Sequence, residues 1–123
     1  FADNSVPTLV YDPPFHPDVN TAEEARFSTL GRNERELKVL YQLGLRECWR
    51  GTRGHLLVKC EDFIHNHAPQ YMTLWTIEVC GEPFDWLTVT REAKRVSGRW
   101  VNVRSLRRNH ASYLLFDKRG NKR

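Results

Sequence analysis

The 123-residue chain lacks most of the signatures that would name a chemistry. Its three cysteines, Cys48, Cys60 and Cys80, include no C-x-x-C pair, so the close ligand pairs of a zinc ribbon or finger are missing. An odd count also fits a closed disulfide framework poorly. Reduced, mostly buried thiols are expected, in an intracellular compartment, cytoplasmic or organellar. No apolar run approaches the roughly 18 residues that span a bilayer, so no membrane partner is expected. The chain begins at Phe1 rather than Met, as a processed form or a fragment would. Its opening FADNSVPTLV has neither the basic start nor the apolar block of a retained signal peptide.

Catalytic fingerprints are absent as well. There is no G-x-x-x-x-G-K-[ST] phosphate cradle, and neither G-x-S-x-G nor H-E-x-x-H occurs. These gaps lower the expectation of an enzyme, and no cofactor, metal or catalytic residue is assigned. Low-complexity tracts and internal repeats are missing too. What remains fits a soluble globular domain: 40% hydrophobic residues, 28% charged residues and a mean hydropathy of −0.62. The length suits a single domain able to bury a core unaided.

Charge is unevenly spread. The net charge is +4, but Arg91–Arg123 carries 11 basic and 2 acidic residues, a local +9, which leaves −5 for residues 1–90. An acidic body with a basic last quarter suggests an acidic partner for that quarter.

Four prolines, Pro7, Pro13, Pro14 and Pro17, mark residues 1–20 as an extended arm, because proline lacks an N–H and fixes φ. Its apolar residues Leu9, Val10, Tyr11 and Phe15 suggest that it lies across the domain or a partner. Residues 21–123 read as one α+β domain with a basic C-terminal segment. One or two helices come first. TAEEARFSTLG can be capped by Asn20 or Thr21 and ended by Gly31, and its Glu23 and Glu24 suit the first-turn dipole. ERELKVLYQLG has Asn33 and Glu36 in capping-box spacing. Leu37, Leu40, Tyr41 and Leu43 are its expected core residues, and Gly44 is its expected end.

After the expected loop RGTRG the period turns to two. HLLVKCEDFI, QYMTLWTIEV, FDWLTVTR and GRWVNVR read as strands, SYLLFDK as a last strand or short helix. Short connections imply antiparallel neighbours. The expected architecture is an N-terminal arm and one or two helices packed on an antiparallel sheet of about four strands. Leu87, Val89, Val101 and Val103 are expected to face the helices. Trp86, Thr88 and Thr90 would then face away, together with Trp100, Asn102 and Arg104.

Outward tryptophans among arginines resemble the platforms on which bases of single-stranded nucleic acid stack while cations track the phosphates. The leading expectation is therefore a nucleic-acid-binding protein, RNA favoured. Trp86 and Trp100 would stack. Arg91, Lys94, Arg95, Arg99, Arg104, Arg107 and Arg108 would meet phosphates, and Lys118, Arg119, Lys122 and Arg123 would add mobile tail charge. A second expectation is a non-catalytic subunit or adaptor, bound to an acidic protein within a larger complex or a homo-oligomer. A third is a metal-independent nuclease pairing His65 or His67 with His110, beside Arg107 or Arg108.

Overall fold

The computed structural model describes residues 1–13, 34–65, 68–90 and 110–120. In chain order the elements are β1 (Val6–Tyr11), α1 (Glu34–Gly51), β2 (Thr52–Cys60), β3 (Phe63–His65), β4 (Ala68–Gln70), α2 (Met72–Cys80), β5 (Asp85–Thr90) and β6 (His110–Asp117). The fold class is α+β. Two described helices pack on a four-stranded sheet of order β1-β2-β6-β5, beside a small β3-β4 hairpin. The expected helix at TAEEARFSTLG and the expected strand GRWVNVR lie outside the described residues.

The sheet is mixed. Strand β6 runs antiparallel to both β2 and β5, whereas β1 pairs parallel to β2. The supposed arm thus contributes an edge strand, where Pro7 costs no central ladder bond.

Helix α1 runs through Gly44 to Gly51, so Gly44 does not end it and RGTRG is not a loop. Gly44 is needed inside the helix for a close approach: a Cβ there would lie 2.5 Å from the Tyr11 hydroxyl oxygen. That hydroxyl donates to the Tyr41 carbonyl at 2.9 Å, tying β1 to α1. The buried stripe of α1 is Leu37, Tyr41 and Leu45, while Leu40 and Leu43 are exposed rather than core.

The α1 C-terminus passes straight into β2 and is capped from elsewhere. The Lys118 ammonium donates to the carbonyl of Trp49 and to Asn4 Oδ1, both at 2.7 Å, and lies 5.4 Å from the centre of the Trp49 ring. A cation at a helix C-terminus meets the unpaired carbonyls and the negative end of the dipole.

The segment QYMTLWTIEV, expected to be a strand, forms helix α2 from Met72 on. It buries Met72, Thr73, Trp75, Thr76 and Cys80, a helical spacing of one, three, four and eight residues from Met72. Its β-branched residues lean towards strand, and two features, one remote and one local, favour the helix. Asp62 accepts from the Thr73 N–H at 3.0 Å and from its hydroxyl at 2.9 Å, capping the first turn. Gly81 ends the helix at φ 79°, in a region open to glycine, with its N–H bonded to the Ile77 carbonyl.

The core lies between these helices and one sheet face: Leu37, Tyr41, Leu45, Leu56, Val58, Met72, Trp75, Leu114 and Phe116. At its centre is a buried polar cluster. The Tyr41 hydroxyl is 2.8 Å from Thr76 Oγ1, Cys60 Sγ is 3.2 Å from the same oxygen, and the Thr76 hydroxyl donates to the Met72 carbonyl. Among the described residues no buried side-chain nitrogen or oxygen lacks a partner.

Candidate nucleic-acid interface

The far edge of the sheet is β5, six residues reading DWLTVT, all of them exposed. Its position follows from how the helices sit. Helix α1 packs on β1 and β2, and α2 packs on β2 and β6, so the described helices lie mainly over the other three strands. Register then sets its faces. Trp86 pairs with the core residue Leu114, and Leu87 pairs with Tyr113. Residues directly opposite in a ladder share a face, so Trp86 and Thr88 lie on the helix side and Leu87 and Val89 on the other. The expected facing is inverted. A period of two gives the alternation, but only the pairing with β6 gives its sense.

Trp86 is nevertheless open, 50% exposed, since the described helices pack mainly on the other strands. Phe84, just before the strand, is 60% exposed, and its N–H donates to the Leu115 carbonyl at 2.7 Å. Phe84 was not singled out in sequence, although its place two residues before Trp86 hinted at a second ring. On the opposite side Leu87 is 61% exposed and Val89 42%.

Of the nine residues expected to bind nucleic acid, Trp86 is described. Arg91, Lys94, Arg95, Arg99, Trp100, Arg104, Arg107 and Arg108 lie outside the described residues. The ends of their segment are fixed, however: Thr90 and His110 are register partners on adjacent strands. Positions 91–109, which join these two partners in the chain, carry seven basic residues against Glu92, a net +6.

The tail is less free than expected. Lys118 is committed to the α1 terminus. The Arg119 Nε donates to Asp117 Oδ1 at 3.2 Å, and its Nη2 lies 3.0 Å from His55 Nε2. Hydrogen bonds from Arg119 hold the Asp117 carboxyl below its ordinary range. Lys118 and Arg119 are thus structural contacts rather than mobile charge; Lys122 and Arg123 lie outside the described residues. Arg50 of RGTRG is likewise engaged, with Asp3, Glu47 and the Phe1 carbonyl.

Neither His67 nor the side chains of His65 and His110 are described, so the expected histidine pairing lies outside the described residues. The described residues contain no group of three or more His, Cys, Asp or Glu side chains placed to hold a metal ion. Burial pushes the Cys60 thiol up and Cys80 up to about 12, which suits packing rather than nucleophilic work. No described helix is long and apolar enough to cross a membrane. Comparison with family models, curated proteins and solved structures found no match to this chain.

Proposed function

We propose that this protein binds single-stranded nucleic acid, RNA in preference to DNA, at the Trp86 face of strand β5. The observation that carries the reading is one of placement. An exposed indole, Trp86, lies on the strand whose end, Thr90, pairs with His110, and the net +6 stretch joins those two residues in the chain. Four residues of strand separate Trp86 from Thr90, about 14 Å. Bases would stack on Trp86, with Phe84 as a second ring, while Arg91, Lys94, Arg95, Arg99, Arg104, Arg107 and Arg108 meet phosphates. Stacking tolerates any base, so the binding is expected to be weakly sequence-selective. The test compares a single-stranded RNA with the same sequence in duplex form. Tighter binding of the single strand is expected; equal affinity for both, or none for either, refutes the proposal.

A second reading, a non-catalytic subunit of a larger assembly, is supported by a different surface. Val39 (51% exposed) and Leu43 (50% exposed) lie on α1 opposite its buried stripe. Substituting both with glutamate would dissociate such an assembly in a pull-down from native extract and leave RNA binding intact. An unchanged set of co-purifying proteins counts against it.

A further inference from the structure

The two edges of the sheet are built differently. Strand β1 carries the devices that stop a sheet from growing: Pro7, which has no N–H to offer, and a register irregularity between Val6 and Thr8. Strand β5 carries none of them. It has no proline or lysine, its pairing with β6 is regular from Asp85 to Thr90, its six residues are exposed, and among the described residues no strand lies on its outer side. An unblunted apolar edge is a template for another strand.

We propose that β5 is a self-pairing edge, through which two copies of this chain join antiparallel about a two-fold axis into one continuous eight-stranded sheet. The β1 edge is closed to an incoming β5 by Pro7 and the irregularity, so a head-to-tail β5-to-β1 contact, which would grow into a filament, is disfavoured. The isologous β5-to-β5 contact closes on itself. Register follows from faces and charge. Both sheet faces stay continuous only if a residue meets one of its own parity. Centring on Thr88 sets Thr88 against the partner's Thr88, Leu87 against the partner's Val89 and Trp86 against the partner's Thr90. These are the hydroxyl–hydroxyl, aliphatic and aromatic–β-branched pairings that stabilise sheets. Asp85, the strand's one charged residue, then falls outside the pairing among these six residues. Centring on Leu87 instead sets Asp85 against the partner's Val89, an unmatched pair. Side chains stand perpendicular to the sheet, so the dimer leaves Trp86 open on its face, and the two proposals are independent.

Six residues of edge are smaller than the standard interface of about 1,600 Å², so the dimer is expected to be weak and concentration-dependent. Sedimentation velocity on the full, nuclease-treated chain across the micromolar range reads it directly. The wild type is expected to shift from monomer to dimer with concentration. T88K sets two ammonium groups against each other at the axis and is expected to weaken the dimer on the order of a hundredfold. T88D is expected to do the same. Mixing T88K with T88D restores a heterodimer with about wild-type affinity, which also shows that both variants are folded. A wild type that stays monomeric throughout overturns the proposal. So does a T88K variant that dimerises like the wild type, or a mixture with no rescue.

Discussion

Removing either partner of the buried Tyr41–Thr76 contact should have unequal costs, and the inequality follows from proton direction. The Thr76 hydroxyl gives its hydrogen to the Met72 carbonyl at 2.8 Å, so its oxygen accepts from Tyr41 at 2.8 Å and from Cys60 at 3.2 Å. In Tyr41→Phe, Thr76 still accepts from the thiol, and no buried group is stranded. The cost should be about 1 kcal/mol, the net worth of one hydrogen bond. In Thr76→Val, the Tyr41 hydroxyl is left with Cys60 Sγ at 3.6 Å, a weak acceptor. Tyr41 and Thr76 are both fully buried, so the stranded hydroxyl cannot turn to water, and the cost should be about 2–3 kcal/mol. The double variant strands nothing and should cost no more than Thr76→Val alone, a coupling of about 1 kcal/mol. Equilibrium urea unfolding with unchanged m-values measures all three. Additive losses, or a Tyr41→Phe loss larger than that of Thr76→Val, would refute this hydrogen-bond assignment.

Further expectations concern the periphery. Lys118→Met should cost about 1–2 kcal/mol through the uncapped α1 terminus, and it should speed exchange of the Asn4 amide, which donates to the Arg50 carbonyl. Unchanged stability and exchange would show that the ammonium does not cap the helix. Hydrogen bonds from Lys38 and Gln42 lower the Glu78 pKa, so the unfolded chain binds the proton more readily. This contribution is present at neutral pH and lost as pH falls through the carboxylate range. Melting profiles from neutral to acid should therefore fall less steeply for Glu78→Gln than for the wild type, and parallel profiles would contradict the pairing. With Cys60 and Cys80 buried and Cys48 partly so, a thiol reagent at mildly alkaline pH should label at most one thiol in the native protein and all three in urea. Rapid native labelling of all three would contradict the packing of α2 on β2.

The α+β class was legible because the period changes after α1, and β2 and β5 alternate as strands should. What sequence missed depended on distant partners. Met72–Cys80 is apolar nearly all round, so no period identifies it, and the cap on its first turn comes from Asp62, eleven positions before Thr73. Gly44 has the chemistry of a helix end, yet it is there to admit Tyr11, which approaches from 33 positions earlier in the chain. Leu40 and Leu43 share α1 with the core stripe but point away from the sheet. For the candidate site, an aromatic in a short strand ahead of a basic run could be read directly. The facing of Trp86 could not, since it is set by pairing with Leu114, and the internal duties of Lys118 and Arg119 are likewise set by contacts remote in sequence.

The binding claim separates most cleanly into stacking and charge when fluorescence anisotropy follows a single-stranded RNA against salt, for the wild type and for Trp86→Ala. If the +6 stretch neutralises about six phosphates, log K should fall against log salt with a slope of about −4. Losing one stacked base at 1–3 kcal/mol should weaken Trp86→Ala by about 5- to 150-fold at every salt concentration, leaving the slope unchanged. No binding at low salt, or a Trp86→Ala curve that overlays the wild type, would contradict the proposed interface.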